Sequence, residues 1–429
     1  MKSVPPAVAG GCAKSTRQAE QFTSDPPATA GGTDTLDAKL SIRSAHEQDF
    51  KVMNLQLERI ELREIELPLK WPFETSFGRT TQRRILIVRV FDKDGANGYG
   101  ECVAAENPFY NHETIDTAWL MTTKYIAPLL AAARVESAAQ VSEALAPIRE
   151  NRMAKAGVEA AMWDMEAKTL QTPLWKHIGG TREEIACGVS IGLQDTTEAL
   201  LDKITREIES GYQRIKIKIK PGKDVQLVEA VRQRFPSLTL SVDANSAYKI
   251  ETDASVLKRL DEYNLLMIEQ PLAPGDIVDH AKLQRELKTP ICLDESIVCL
   301  TNARHAHELG ACRIINIKLG RVGGYAEAHA IQSFAQEKDM PVWCGGMLEA
   351  GIGRAHNIAL STLPGFTLPG DVSASARYWE EDIIAPPVTV SRKGTIKAPT
   401  GHGISYEVNE ARIEALTVRR ETIPLTSSH

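Results

Sequence analysis

The chain has 429 residues, of which 43% are hydrophobic and 25% charged, and its formal net charge is −6 at pH 7. This composition is typical of a globular protein, and the length is sufficient for two domains. The modest negative charge, without a long basic run, argues against nucleic acid or an acidic membrane surface as a partner. No apolar run approaches the roughly 20 residues that span a bilayer. Seven scattered cysteines without a CxxC pair indicate a reducing compartment, so we expect a cytoplasmic protein.

The N-terminal half begins with a segment of low hydrophobicity. Residues 1–52 are rich in Pro, Gly, Ala, Ser and Thr, and they bury too little surface to offset their ordering entropy, so we predict a disordered extension. Alternating apolar and polar side chains then predict three strands, at 54–67, 84–92 and 97–102. Helix-forming patterns follow at 113–133, 137–150 and 154–170. We therefore expect an α+β capping domain over residues 53–180.

After residue 180, short β-branched runs alternate with helix-forming sequence. The runs are CGVSIG (187–192), RIKIKI (214–219), LTLSVDA (238–244), LLMIEQP (265–271), PICLDES (290–296), RIINIKLG (313–320), PVWCGG (341–346) and a weaker GFTLPGD (365–371). Such alternation predicts a parallel sheet, and eight units fit a closed barrel better than an open doubly wound sheet. The predicted fold is α/β, with a modified (β/α)₈ TIM barrel over residues 181–385 beside the α+β capping domain. Residues 386–429 are expected to pack back toward that domain.

Five ionisable residues end consecutive predicted strands. They are Lys218, Asp243, Glu269, Asp294 and Lys318, separated by 25, 26, 25 and 24 residues. Each step is one βα unit, so each residue returns to the carboxyl end of its strand, where the active sites of these barrels lie. A single Asp after a strand is more often a helix N-cap, but independent caps have no reason to include Lys or to keep this register. The pattern therefore predicts an active site.

The three carboxylates of this set predict a metal site. Asp243, Glu269 and Asp294 would repel one another strongly if they converged without a cation. A ligand set of oxygens alone, without His or Cys, suits Mg²⁺, for which Mn²⁺ can substitute, rather than Zn²⁺. Open coordination positions would remain for water or for a substrate carboxylate.

The lysines predict acid–base chemistry. Lys216 and Lys218 lie two residues apart and so point to one face of the strand, here the barrel mouth. We expect the pKa of each lysine to be lowered by the other ammonium group and by the nearby cation, which would make one lysine a usable base. Lys318, four strands away, would approach from the opposite side. A substrate between Lys218 and Lys318 could lose a proton next to its carboxylate on one face and regain it on the other, while the metal holds the enediolate charge.

These strand ends resemble those of the enolase superfamily, in its muconate-lactonizing subgroup. The segments that carry the resemblance are KIK (216–218), VDAN (242–245), IEQP (268–271), LDES (293–296) and NIK (316–318). A lysine base with Mg²⁺ stabilising an enediolate is the known chemistry of that superfamily. The resemblance extends from about residue 54 to about residue 410.

A narrower similarity is to the o-succinylbenzoate synthase and N-acylamino acid racemase family. It rests on GECVA (100–104), PFY (108–110), GRVGGY (320–325), WCGGMLE (343–349) and LPGD (368–371). The resemblance implies Lys218 and Lys318 as the acid/base pair with support from Lys216, and a Mg²⁺-dependent dehydration of a cyclohexadiene carboxylate in menaquinone synthesis, with racemisation of N-acylamino acids in some members. Leu319 follows Lys318 where racemase-capable relatives resemble Lys-Pro-Gly-Arg, a departure that bears on the racemase reaction.

Other positions are candidates for contacts with a small-molecule carboxylate substrate. The loop FETSFGR (73–79), including Phe73 and Arg79, resembles a capping loop that closes on substrate. Ser190 ends the first barrel strand, and Gly345, Gly346 and Met347 could present backbone N–H groups. We expect a homo-oligomer that binds neither nucleic acid nor a membrane.

Three other functions remain to be weighed against the synthase. They are a racemase or dipeptide epimerase with the same apparatus, a Schiff-base aldolase with a single lysine, and a scaffold without catalysis. The complete set of three carboxylates and two lysines disfavours the last two.

Overall fold

A computed structural model of the chain describes residues 55–76 and 78–425. The predicted extension over residues 1–52 lies outside the described residues, as does Phe77 of the predicted capping loop. Within the described part of the chain, every helix is too short or too polar to cross a bilayer.

The N-terminal elements are three long strands followed by helices. They are β1 (Leu57–Glu74), β2 (Arg79–Asp92), β3 (Asn97–Cys102), α1 (Ile115–Met121), a π-helix (Thr122–Ile126), α2 (Ala127–Ala133), a 3₁₀-helix (Ala138–Gln140), α3 (Val141–Ala144), α4 (Arg152–Thr169) and α5 (Leu174–His177). The predicted helix over 137–150 is therefore wrong apart from two short turns. Pro147 explains this, because proline lacks the N–H of a helical residue and disfavours helical backbone in the residue before it.

The remaining elements alternate strands with helices and then return to short strands. They are β4 (Glu184–Ala186), β5 (Gly188–Ile191), α6 (Thr197–Glu209), β6 (Arg214–Lys218), α7 (Val225–Arg234), β7 (Leu240–Asp243), α8 (Ile250–Arg259), a 3₁₀-helix (Leu260–Tyr263), β8 (Ile268–Glu269), α9 (Ile277–Glu286), β9 (Ile291–Leu293), α10 (Leu300–Leu309), β10 (Ile314–Ile317), α11 (Leu319–Val322), α12 (Tyr325–Glu337), β11 (Val342–Cys344), α13 (Gly351–Ser361), a 3₁₀-helix (Ser375–Arg377), β12 (Ile384–Ala385), β13 (Thr395–Lys397), β14 (Glu407–Val408), α14 (Glu410–Leu416) and β15 (Thr417–Pro424).

The barrel sheet has seven parallel strands in the order β11-β10-β9-β8-β7-β6-β5. The predicted eighth strand is instead a segment that bridges both edge strands. Phe366 forms a parallel bridge to Val342 of β11, and Gly370 forms one to Cys187 just before β5. The predicted α/β fold, a modified TIM barrel beside an antiparallel N-terminal sheet, is confirmed. The first seven predicted barrel strands are each found, shorter than predicted.

The N-terminal sheet is antiparallel, with the order β15-β1-β2-β3. The C-terminal strand β15 thus pairs with β1, from Arg59 opposite Pro424 to Ile65 opposite Thr417. Helix α4 packs on β3, where two glycines allow the backbones to approach closely. A Cβ on Gly100 would overlap the carbonyl oxygen of Gly157, and one on Gly98 would overlap that of Ala161.

Substitution of Gly100 by alanine is expected to lower the free energy of unfolding by about 3 kcal/mol or more, because the overlapping atoms are backbone and cannot rotate away. Thermal and urea unfolding of the variant would measure the change. Gly275→Ala is the control, since nothing lies within 4 Å of a Cβ there. Equal losses at both positions would contradict the packing described for β3 and α4.

Glu159 makes the stability depend on pH. This carboxyl on α4 is 1% exposed, and its Oε1 accepts hydrogen bonds from the backbone of Ala326 (2.9 Å) and the indole of Trp163 (3.2 Å). Burial disfavours the charged form and raises the pKa of Glu159 from 4.5 to about 7. Because the folded-state pKa exceeds the unfolded value, the contribution of this group favours folding below pH 4.5 and is lost as the pH rises through about 7.

Glu159→Gln is therefore expected to become more stable relative to the parent as the pH rises from about 5 to about 8, by up to about 3 kcal/mol. Urea unfolding at the two pH values measures the difference, with the exposed Glu308→Gln as the control. The same pH dependence in the parent and in Glu159→Gln would rule out a raised pKa.

Candidate active site

Strand pairing brings the predicted site residues to one end of the barrel. Lys218 pairs with Asp243 across β6 and β7, and Asp243 pairs with Glu269 across β7 and β8. Asp294 directly follows β9, and Lys318 directly follows β10. All five side chains are buried, with exposures of 0–7%. The register predicted from the spacing of the sequence is the register of the structure.

Lys218 lies between Asp243 and Asn245. Its Nζ donates to Asp243 Oδ2 at 2.5 Å and to Asn245 Oδ1 at 2.6 Å. Burial alone would raise the pKa of Asp243, but attraction to Lys218 and Lys216 outweighs it and holds the pKa well below its ordinary value. Asn245 also donates to Glu295 Oε1 at 3.0 Å, which fixes its amide. The base candidate is thus held by an ionised carboxylate and a fixed amide oxygen.

Lys216 contacts three carboxylates of the site. Its Nζ lies 2.7 Å from Glu269 Oε2, 2.8 Å from Asp371 Oδ2 and 3.2 Å from Asp243 Oδ2. Burial lowers its pKa, but these carboxylates raise the pKa well above the ordinary lysine value. The three carboxylates outweigh both burial and the positive charge of Arg214. The expectation that the lysines and a nearby cation lower the lysine pKa stays a prediction for the metal-bound site.

Lys318 lies in a second cluster around Asp294. Its Nζ is 2.7 Å from Asp294 Oδ2 and 3.3 Å from the Tyr110 hydroxyl. Arg321 and Tyr110 both donate to the other oxygen of Asp294, Tyr110 at 3.0 Å. Burial lowers the pKa of Lys318, but Asp294 raises it above the ordinary value. Tyr110 comes from the loop after β3, so the N-terminal half contributes directly to the site.

Glu269 lies between the two clusters. Its Oε1 accepts from Asn316 Nδ2 at 2.7 Å. Burial, followed by repulsion from Asp243, raises the pKa of Glu269 to about 7. A nearby cation would relieve this cost.

The donor chemistry of the site fits a hard divalent cation. Three buried carboxylates end adjacent strands, and two further buried oxygens, Ser190 Oγ and Asn316 Oδ1, have no hydrogen-bond partner among the described residues. No three His, Cys, Asp or Glu side chains of the described residues are arranged to hold a metal ion as they stand. In the structure, oxygens of these carboxylates are instead paired with Lys216, Lys218 and Lys318. Asp243, Glu269 and Asp294 as ligands therefore stay a prediction that requires these lysines to move.

The predicted substrate contacts are placed unevenly around the site. Ser190 pairs with Lys216 across β5 and β6, and its hydroxyl is buried. The amide of Gly345 donates to Ile317 O (3.2 Å) and that of Met347 to Glu349 Oε1 (2.9 Å). Among the described residues, the amide of Gly346 has no such acceptor. These substrate contacts stay predictions.

The predicted capping loop reaches the barrel near the base candidate. Ser76 Oγ lies 3.3 Å from Asn245 O, and the amide of Leu193 donates to Glu74 O at 2.9 Å. Phe73 packs against the barrel core, whereas Arg79 is exposed. A cavity of about 230 Å³ is lined by Lys218 and by residues at the starts of α6 and α7, among them Thr196 and Val225. The base candidate therefore borders a cavity large enough to admit part of a small molecule.

Comparison with known proteins identifies the family. Residues 59–179 match the mandelate racemase / muconate lactonizing enzyme N-terminal domain, and residues 199–412 match the enolase C-terminal domain-like family. The chain belongs to the enolase superfamily. It is 52% identical over 365 residues to an o-succinylbenzoate synthase from Geobacillus kaustophilus, covering 85% of this chain and 97% of that protein.

Two further relatives support the same placement. An N-succinylamino acid racemase from Thermus thermophilus is 48% identical over 364 residues, covering 85% of this chain and 98% of that protein. The crystal structure of an enolase superfamily member from Listeria innocua has a TM-score of 0.84 at 45% identity, and it covers 87% of this chain and all of the other. The chain is thus an enzyme of the superfamily that resembles o-succinylbenzoate synthases.

Several residues of the site were assigned no role from the sequence. Asn245 and Arg321 could have been found, because they lie two and three residues after Asp243 and Lys318, on the loop or helical turn that follows the strand. Asp371 ends the predicted eighth strand and so lies in the same register. Tyr110 gives no such signal, since only the folded chain brings its loop to β10.

Proposed function

We propose that the protein is an o-succinylbenzoate synthase, which dehydrates 2-succinyl-6-hydroxy-2,4-cyclohexadiene-1-carboxylate in menaquinone biosynthesis. The observation that carries this proposal is the burial of Lys218 and Lys318 at two non-adjacent strand ends, with three carboxylates between them. The choice of substrate is supported by two relatives named o-succinylbenzoate synthase, whose sequences are 52% and 51% identical to this chain. Leu319, which differs from the Pro of racemase-capable relatives, favours the synthase over the racemase.

In this proposal Asp243, Glu269 and Asp294 hold Mg²⁺, as members of the superfamily generally use Mg²⁺. The cation supplies electrostatic stabilisation of the negative charge that develops on the substrate carboxylate. Lys218 takes the proton from the carbon that bears the carboxylate. The electron pair left behind expels hydroxide from the neighbouring carbon, and the proton on Lys218 leaves with it as water. Lys318 stabilises the developing charge from the opposite side.

The test is turnover of the cyclohexadiene carboxylate, followed by ultraviolet absorbance. Protein stripped with chelator should be inactive, and Mg²⁺ should restore activity. Absence of turnover by folded, metal-loaded protein would overturn the synthase assignment.

The second candidate is racemisation of N-acylamino acids or epimerisation of dipeptides. It is favoured by the Thermus thermophilus relative, which is named N-succinylamino acid racemase. Exchange of the α-proton of N-succinylamino acids in D₂O, without turnover of the cyclohexadiene carboxylate, would support the racemase or epimerase function.

The Schiff-base alternative is tested by borohydride trapping with substrate. Covalent capture of the substrate on a lysine would support a Schiff-base aldolase against both the synthase and the racemase.

A further inference from the structure

Asp371 lies beside the proposed metal ligands without being one of them. Its side chain is 8% exposed, and its Oδ2 lies 2.8 Å from Lys216 Nζ. The same Nζ contacts Asp243 and Glu269, two of the proposed ligands. Lys216 therefore stands where it can pair either with the ligand carboxylates or with Asp371.

Asp371 is fixed by contacts on its other side. Its Oδ1 lies 2.8 Å from Arg214 Nη1, whose side chain is fully buried and whose Nη2 donates to Pro369 O at 2.8 Å. The backbone amide of Asp371 donates to Cys344 O at 2.8 Å, within the segment that bridges the barrel edges. One oxygen of the carboxylate is thus anchored, and the other is directed at Lys216.

The lysine has few alternatives inside the barrel. Lys216 is 3% exposed, so its ammonium group cannot reach water when a cation takes its place on Asp243 and Glu269. A buried charge without a partner is strongly disfavoured. Lys216 Nζ lies 4.7 Å from the centre of the Trp343 ring, whose face attracts a cation. Besides the two proposed ligands, the carboxylate in contact with Nζ is Asp371.

We propose that Asp371 is a positioning residue, which retains Lys216 so that Asp243 and Glu269 are free to bind the divalent cation. This inference rests on the proposed metal site. In the absence of Asp371, the ammonium group of Lys216 keeps its pairing with the two ligands and competes with the metal. Asp371 thus acts on metal affinity through Lys216.

The test is the dissociation constant of Mg²⁺ and Mn²⁺, measured by calorimetry on the full chain without substrate. Asp371→Asn removes the charge at constant size, and we expect the dissociation constant to rise at least tenfold. The shift of Tm that saturating metal produces should shrink in parallel. A purely structural loss would lower Tm with and without metal alike and would leave affinity unchanged.

Two controls separate the causes. Asp382→Asn changes another buried aspartate, which accepts from the amides of Gly351 and Ile383 and has no contact with Lys216, so affinity should stay within about twofold. Asp371→Asn in a Lys216→Met background should also have no effect, because the proposed coupling runs through Lys216. An effect that persists without Lys216 would show a direct long-range charge effect and would overturn the proposal.

The remaining outcomes are equally decisive. Unchanged affinity in folded Asp371→Asn would overturn the role of Asp371 alone. Failure of the parent protein to bind any divalent cation would instead overturn the proposed metal site. If Asp371→Asn does not fold, Asp371→Glu and Asp371→Gln, which are matched in size, make the same comparison, with affinity retained in the first and lost in the second.

Discussion

Replacement of Lys218 by alanine is expected to lower turnover of the cyclohexadiene carboxylate by about 10²–10⁴-fold, the usual contribution of a general base. Lys218 is 7% exposed and lines a cavity of about 230 Å³. Within the site its Nζ is held by Asp243 and Asn245, so it must leave these contacts to reach a substrate. Initial rates with saturating Mg²⁺ measure the effect.

Lys220→Ala is the matched control for this change. Lys220 lies two residues further along, is only half-buried, and makes no side-chain contact with the site carboxylates in the described part of the chain. Its replacement should leave the rate within a factor of about two. A Lys218→Ala variant that folds with normal Tm and retains more than a tenth of the activity would exclude Lys218 as the base.

Replacement of Lys318 by arginine is expected to separate the two candidate reactions. Arginine keeps the positive charge next to Asp294 but cannot exchange protons near neutral pH. Elimination, in which Lys318 only stabilises charge, should fall by less than about tenfold, whereas racemisation should fall by about 10²–10⁴-fold because it needs an acid/base on each face. Parallel assays with the cyclohexadiene carboxylate and an N-succinylamino acid measure both.

The comparison that matters is the loss of elimination relative to the loss of racemisation in Lys318→Arg. A general disturbance of Asp294, Tyr110 or Arg321 would lower the rates of both reactions together. Arg321→Lys provides the comparison for such a disturbance, since Arg321 contacts the same oxygen of Asp294 as Tyr110 does. Equal losses of elimination and racemisation in Lys318→Arg would mean that Lys318 transfers a proton in both reactions or in neither.

The parts of the site that could be predicted from sequence are those set by strand periodicity. The four steps between Lys218 and Lys318 predicted one shared barrel end, and strand pairing from β6 to β8 agrees with this. The alternation of Lys216 and Lys218 with buried isoleucines likewise predicted which face points inward. Both follow from the two-residue period of a strand and the length of a βα unit.

The parts that could not be predicted depend on contacts between segments distant in sequence. Tyr110 contacts Lys318, which lies 208 residues later in the chain. Asp371 contacts Lys216 because the segment around Phe366 and Gly370 bridges the two edges of the barrel sheet. The three carboxylates that surround Lys216 and raise its pKa were likewise not predicted as a group, since Asp371 comes from the last segment of the barrel. The predicted helix over 137–150 failed for a local reason, the proline at position 147.

The most direct test is a crystal structure of the metal-loaded protein with o-succinylbenzoate bound. We expect Mg²⁺ about 2.0–2.1 Å from oxygens of Asp243, Glu269 and Asp294, with the ammonium group of Lys216 paired to Asp371. Lys218 and Lys318 should lie on opposite faces of the ring. A cation bound elsewhere, or both lysines on one face of the product, would contradict it.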